Sequence, residues 1–406
     1  MLSRYGRITK NLLADIKETD LVKLGLYTAC GVASSTWASV ALREAGYGTS
    51  TVFTILAAEG IIAAIFLLGI SAFFKHKRVM RGLWRSITWL AVSCWFVLAV
   101  TGFDMAQSIF LAVLLVGVTS TYLCSVCLFS DTLKQVQTGD AGVLKLVLFM
   151  IFLPLCKISF VALSGFLADL DFVYMATFLC VVLTLCNLIW HDHIVMHTMD
   201  VAGKEKIWHL FKRPKRVVFI LLSSLFNTFN LPVRFVLIPL YLYEHTGGSL
   251  TKMGGVFALL GLVALFGQAI KRYMQGHSID SYKLMLCGIT SYAFVPFAWV
   301  YFFDQPYTVI FVLMLSEVIA VIWTYAYFIE LRKLSESEPA VINQQWQVMN
   351  MFSSGVMCLF LVFVSNNLAE HMQVYLLAQG VVTLLYIIFF IIWWQRNVLF
   401  NKKQSA

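Results

Sequence analysis

Charge is scarce in this sequence. Of 406 residues, 13% are Asp, Glu, Lys or Arg, while 60% are hydrophobic. A soluble domain usually carries about 25% charged residues, so there is too little charge here to cover a water-exposed surface of this size. The first 20 residues also lack the apolar core of a cleavable signal peptide, because Arg4, Arg7, Lys10, Asp15, Lys17, Glu18 and Asp20 interrupt them. Leu2, Ile8, Leu12, Leu13 and Ile16 instead offer one apolar helical face, read as an amphipathic lead-in helix on a membrane surface. No G-x-x-x-x-G-K-[ST] loop is present, which argues against ATP as a direct energy source. None of the nine cysteines falls in a connection read as external, so no disulfide framework is indicated. Cys124 and Cys127 have CxxC spacing, but inside an apolar span, and are read as small packing residues.

What the chain does have is apolar blocks of roughly 20 residues, the length a helix needs to cross the hydrocarbon core. Twelve spans are predicted: Leu24 to Leu42, Val52 to Phe74, Ser86 to Phe103, Ser108 to Ser130, Leu146 to Ala168, Tyr174 to Trp190, Val217 to Tyr243, Gly254 to Ile270, Leu284 to Phe303, Tyr307 to Ile329, Asn343 to Asn366 and Val374 to Trp394. The termini and even-numbered connections together hold 26 Lys and Arg, and the odd-numbered connections hold 2. Positive charge is retained on the cytoplasmic side, so both ends are placed in the cytoplasm. The same rule accounts for the net charge of +9 without a nucleic-acid partner. The predicted organisation is a cytoplasmic amphipathic N-terminus (1–23), an N-terminal six-helix bundle (24–190), a basic cytoplasmic linker (191–216), a C-terminal six-helix bundle (217–394) and a cytoplasmic tail (395–406).

The two bundles repeat. Gly48-Thr49-Ser50 and Gly247-Gly248-Ser249 are offset by about 199 residues, Gly69 and Gly267 by about 198, and Asp131 with Lys134 and Glu330 with Lys333 by about 199. A duplicated six-helix unit is an arrangement that transporter folds use. With its six plus six spans, basic central loop and cytoplasmic ends, the chain resembles the major facilitator superfamily over essentially its whole length. The family signature between spans two and three, roughly G-x-x-x-D-R-x-G-R-R/K, falls on Gly69 to Arg78. The leading Gly and the closing basic pair match, whereas the family Asp falls on Phe73 and the second Gly on His76. Span five has Pro154 but no glycine series of the drug-antiporter type, and span four lacks the Arg of many proton-coupled exporters. The resemblance implies an all-α membrane protein with spans one, four, seven and ten around a central cavity. Spans two, five, eight and eleven would join the halves, with the other four peripheral. It also implies a cytoplasmic gate in which Lys75, Lys77 and Arg78 pair with Asp131 or with helix C-termini.

Four charges lie inside spans: Glu59, Lys157, Arg234 and Glu317. An ionised side chain at mid-bilayer costs roughly 2.5–3.5 kcal/mol on insertion scales, so such residues pair with one another or face water. All four fall on spans that the resemblance places at the cavity or between the halves. In span seven, Ser223, Asn227, Asn230 and Arg234 lie within about 60° of one another around the helix, and Tyr241 returns to that face. Pro232 and Pro239 beside this stripe would loosen the backbone. Asn343, Gln347, Asn350 and Ser354 form a second stripe that is either an inner vestibule or polar packing; Glu317 with Thr324, and Lys157 with Ser164, share faces. Gly254, Ala258 and Gly261 on span eight, and Gly25, Ala29 and Ala33 on span one, mark close helix packing. His191, His193 and His197 form one His box, where membrane di-iron enzymes need several, so it is read as an interfacial loop and no metal is assigned.

The expected function is secondary active transport by alternating access, with no cofactor. Asn227, Asn230, Arg234, Lys157 and Thr324 are the candidate substrate contacts. The two cations among them point to a small solute bearing an anionic group, a metabolite or siderophore-like molecule. Glu317 and Glu59 are the candidate proton-coupling groups, Glu317 first because span ten lines the cavity. Export is favoured slightly over import, and a monomer in a bacterial inner membrane is expected. Two other classes stay open: a facilitator-fold receptor or assembly protein that does not transport, and a membrane enzyme acting on lipid-linked substrates. The orientation has a direct test. In intact cells lacking accessible native cysteines, an impermeant thiol reagent is expected to label Thr246→Cys and spare Lys206→Cys; the reverse pattern would invert the topology.

Overall fold

The computed structural model describes residues 18–73, 77–136, 142–189, 236–276, 280–333, 339–364 and 368–404. They form twelve helices: α1 (Glu18–Glu44), α2 (Thr49–Phe73), α3 (Lys77–Thr101), α4 (Gln107–Val136), α5 (Gly142–Leu170), α6 (Phe172–Ile189), α7 (Ile238–His245), α8 (Leu250–Gly276), α9 (Ser281–Tyr301), α10 (Pro306–Lys333), α11 (Pro339–Val364) and α12 (Leu368–Gln404). The described residues contain no strand. In hydrocarbon a backbone must bond to itself, and a helix does so within one segment. Seven helical stretches are long and apolar enough to cross a membrane, and Phe172–Leu188 and Val348–Val362 are shorter apolar ones. Large apolar side chains point outward on the peripheral helices, among them Phe96 and Val100 on α3, Leu185 and Leu188 on α6, Phe294 on α9, and Leu385 and Phe389 on α12. Lipid, as apolar as they are, leaves no reason to bury them.

In the first half, α1 packs on α4, α5 and α6, and α3 on α4 and α6; in the second, α9 packs on α10 and α12, and α8 on α10. The halves join mainly through α5 with α8 and α2 with α11, as the resemblance implies. Both seams are close because glycine lets backbone meet backbone. A Cβ on Gly60 would lie 2.8 Å from the Met351 carbonyl oxygen, and one on Gly355 would lie 2.9 Å from that of Ala57. On the other seam, a Cβ on Gly254 would stand 3.3 Å from the Ala162 carbonyl, and Gly261 lies directly on Ile158. Gly254 and Gly261 therefore have the packing role expected of them. Ala29 and Ala33 on α1 are fully buried.

The break expected near the prolines of span seven is present. Val236 and Leu237 adopt a wide π-type turn immediately before Pro239, whose ring cannot continue the regular hydrogen-bond ladder. Ser223, Asn227, Asn230 and Arg234 of the expected stripe lie outside the described residues, and Tyr241 is described on its own. It is buried on the α9 side, donates its hydroxyl to the Phe303 carbonyl at 2.7 Å, stacks on His245 and meets Trp299 edge-on.

The seams give a stability prediction. Gly355→Val and Gly60→Val force a side chain against backbone that cannot yield, and should each cost about 1–3 kcal/mol. Gly255, with nothing within 4 Å of its Cβ position, is the control. Thermal unfolding in detergent should show a lower midpoint for the two seam variants and no loss for Gly255→Ala; equal midpoints would refute the close seam.

Candidate functional site

Hydroxyl-bearing residues are concentrated inside the first half. Thr28, Ser34, Ser35, Thr36 and Ser39 on α1, and Thr119, Ser120, Thr121 and Ser125 on α4, are all buried. Most are satisfied by their own helices. Ser34 donates to the Gly31 carbonyl at 2.9 Å, Thr121 to that of Gly117 at 2.7 Å, and Ser125 to that of Tyr122 at 2.8 Å. Such back-bonding lets a helix bring hydroxyls into an apolar medium at little cost. Others tie helices together. Trp37 Nε1 on α1 donates to Ser164 Oγ on α5 at 2.7 Å, and Trp95 Nε1 on α3 to Thr121 Oγ1 at 3.0 Å. Tyr27 on α1 donates its hydroxyl to Asn187 Oδ1 on α6.

Against this satisfied background one group stands out. Glu59, on α2, is only 8% exposed. Ser35 of α1 lies beside it, yet the buried Ser35 hydroxyl makes no hydrogen bond of normal geometry. Tyr122 of α4 and Cys358 of α11 lie within its electrostatic reach. No Lys or Arg among the described residues bears on it. Its neighbour Gly60 is the residue pressed against Met351 and Gly355, so Glu59 sits at the α2–α11 seam, where the halves meet. On one side of it Ala63, Ala64, Leu67, Leu123, Val348 and Met351 form a separate apolar cluster from α2, α4 and α11.

The other predicted residues divide. Lys157 is half-buried on α5, two turns from Ser164, whose face of the helix meets Trp37 of α1. Glu317 is half-buried on α10, next to the buried Ser316. Neither is among the groups that bear on Glu59. Asn350 is buried on α11 and Ser354 half-buried. Asn227, Asn230, Arg234, Lys75 and the His191 to His197 box lie outside the described residues, as do the side chains of Thr324, Lys77, Arg78, Asp131, Asn343 and Gln347. The hydroxyl surroundings of Glu59 were missed from sequence, although the runs Ser34-Ser35-Thr36 and Thr119-Ser120-Thr121-Tyr122 carried the signal.

No known family's sequence profile matches the chain, and no curated relative does. Solved structures match its fold. A D-xylose–proton symporter superposes with a TM-score of 0.69 at 12% identity, over 91% of this chain and 96% of its own. The nucleoside transporter NupG gives 0.63 at 18% identity, over 93% and 98%. A bacterial homologue of the iron transporter ferroportin, outward-facing with soaked iron, gives 0.61 at 15% identity, over 93% and 99%. The chain therefore has the major facilitator fold and is a multi-pass integral membrane protein.

The Tyr27–Asn187 pair is testable as a structural tie. Tyr27→Phe strands a buried amide whose nitrogen already lacks a partner, and should cost about 1–3 kcal/mol. Asn187→Leu added to it should recover much of that loss. If both variants unfold with the wild-type midpoint, the tie contributes nothing.

Proposed function

We propose that the chain is a secondary active transporter that works by alternating access and couples transport to protons through Glu59. The observation that carries this reading is a buried carboxyl at the seam between the halves, with no cationic partner among the described residues. A carboxylate enclosed without a counter-charge is costly, whereas the neutral acid is not. Water reaching the same group reverses that preference. A seam that opens and closes thus loads a proton when Glu59 is enclosed and releases it when Glu59 is wetted. The position suits coupling, because the group touches elements of both halves and senses their relative movement. Glu317, half-buried on α10, is the second candidate.

The solute we propose is small and organic, with an anionic group held by Lys157 and Arg234 and polar groups held by Asn227, Asn230 and Thr324, moving outward in a monomer. Transporters for sugars, nucleosides and metal ions share the fold, which supports a transported solute without choosing among classes. In proteoliposomes screened with organic acids, Glu59→Gln should abolish accumulation driven by a pH gradient while keeping counterflow within about threefold of wild type, since exchange needs no net proton movement. Glu317→Gln is measured alongside. Loss confined to Glu317→Gln would move the coupling site to α10. Normal accumulation in both variants would end the proton-coupled reading.

A further inference from the structure

On the outer side, as the charge asymmetry orients the chain, the described residues bond the two halves to each other at two places. The first joins α1 to α7. Tyr243 donates its hydroxyl to Glu44 Oε1 at 3.0 Å, across a separation of 199 residues. Corresponding helix ends of the two halves are 201 residues apart at Glu44 and His245 (245 − 44) and 199 apart at Gln107 and Pro306 (306 − 107). Glu44 and Tyr243 are thus near-equivalent positions of the repeat. Equivalent points related by a two-fold rotation touch only where both lie close to the rotation axis. For parallel six-helix repeats that axis runs along the membrane normal between the halves, where a central path must also run. The pair accordingly lies across the outer mouth of any such path.

The second bond lies to one side. Asp169, at the outer end of α5, reaches the beginning of α8 in the opposite half. Its Oδ1 accepts the Leu250 N–H at 2.8 Å and its Oδ2 accepts the Ser249 hydroxyl at 3.2 Å. The first N–H groups of a helix have no partner within the helix, and the helix dipole favours negative charge there. Here the cap comes from the other half of the molecule. Partial burial pushes the Asp169 carboxyl up, but hydrogen bonds from Thr251, Leu250 and Ser249 outweigh it and hold the group below the usual carboxylate range. One turn below, a Cβ on Gly165 would lie 2.8 Å from the Leu250 carbonyl and 2.7 Å from Trp37, so α1, α5 and α8 are pressed together there. Arg43, Glu44 and Asp169 all lie within electrostatic reach of Tyr243. By contrast Asp171, two residues on, accepts the Val173 N–H at 2.9 Å and caps α6 within its own half.

We infer that Asp169 is the clasp of an outer lock, in which it caps α8 across the half boundary while Glu44 and Tyr243 close the mouth on the axis. Both bonds break whenever the outer side opens, so they set how often it does. The sequence supports the placement. The family Asp of the cytoplasmic signature is replaced by Phe73, while a carboxylate that bridges the halves is present on the opposite face.

The inference rests on the alternating-access reading, and its test does not depend on transport. Spin labels on Asp104→Cys and Gln305→Cys, both exposed on outer connections of opposite halves, report the outer distance by pulsed electron paramagnetic resonance in nanodiscs. The unmodified lock should give a predominantly short distance. Asp169→Ala should raise the ratio of long to short distances roughly tenfold, the loss of one charge-assisted cap. Tyr243→Phe should shift it the same way by less, and Asp171→Ala should leave it unchanged. An Asp169→Ala distribution equal to wild type overturns the lock. So does an equal opening by Asp171→Ala, which would reduce Asp169 to ordinary helix capping. If Asp169→Ala does not fold, Tyr243→Phe with Ser249→Ala decides by the same shift or its absence. Transport assays on the same proteins separate the readings, since a shifting distance without any transported solute keeps the lock and removes the transporter.

Discussion

A polar group that enters the hydrocarbon layer must find its partner inside the protein, because the lipid offers none. This single constraint arranges most of what the first half contains. Ser34 of α1 and Thr121 and Ser125 of α4 turn back onto their own carbonyls, the indoles of Trp37 and Trp95 find hydroxyls on neighbouring helices, and Tyr27 finds Asn187. Satisfying so many polar groups locally leaves the helices free to pack by shape. It also makes Glu59 conspicuous, since its surroundings supply dipoles but no counter-charge.

The seams between the halves follow a different logic. Helices that must shift past one another gain little from long interlocking side chains. Along α2–α11 and α5–α8, glycines meet backbone at Gly60, Gly355 and Gly254 and the Ile158 side chain at Gly261, close contacts whose attraction is dispersion at short range. Directional bonds across the boundary occur at the outer rim, at Glu44–Tyr243 and at Asp169 with the start of α8. Closely packed contacts of this kind switch between discrete states rather than deform continuously.

Much of this was legible in the sequence. The all-helical fold and its two-bundle arrangement follow from hydrophobic length and internal repetition, which physical chemistry ties to the architecture. Gly254, Gly261 and Glu59 were also identifiable, since glycine and an acid are each conspicuous in an apolar run. The π-type turn at residues 236–237 was not legible, because it depends on how the chain meets Pro239 and not on the apolar pattern. The hydroxyl lining of α1 and α4 was hidden for another reason. Serine and threonine bonded to their own backbone occur in any membrane helix, and only the fold reveals which of them face a carboxyl. Asp169 looked like the polar end of a span; that it caps a helix of the other half is information the chain carries only in three dimensions.

The burial of α1 has a consequence for how the protein is made. Its polar residues leave it outside the seven helices among the described residues that are apolar enough to cross a membrane, although it is synthesised before the helices that bury it. A helix of that composition gains little by partitioning into lipid unaided. Its permanent partners, α4, α5 and α6, are synthesised long after it. The hydroxyls of α1 are therefore made before the surroundings that enclose them. Within this group of helices, the order of synthesis and the order of burial run in opposite directions, and a helix with five buried serine and threonine hydroxyls among its described residues waits for its surroundings.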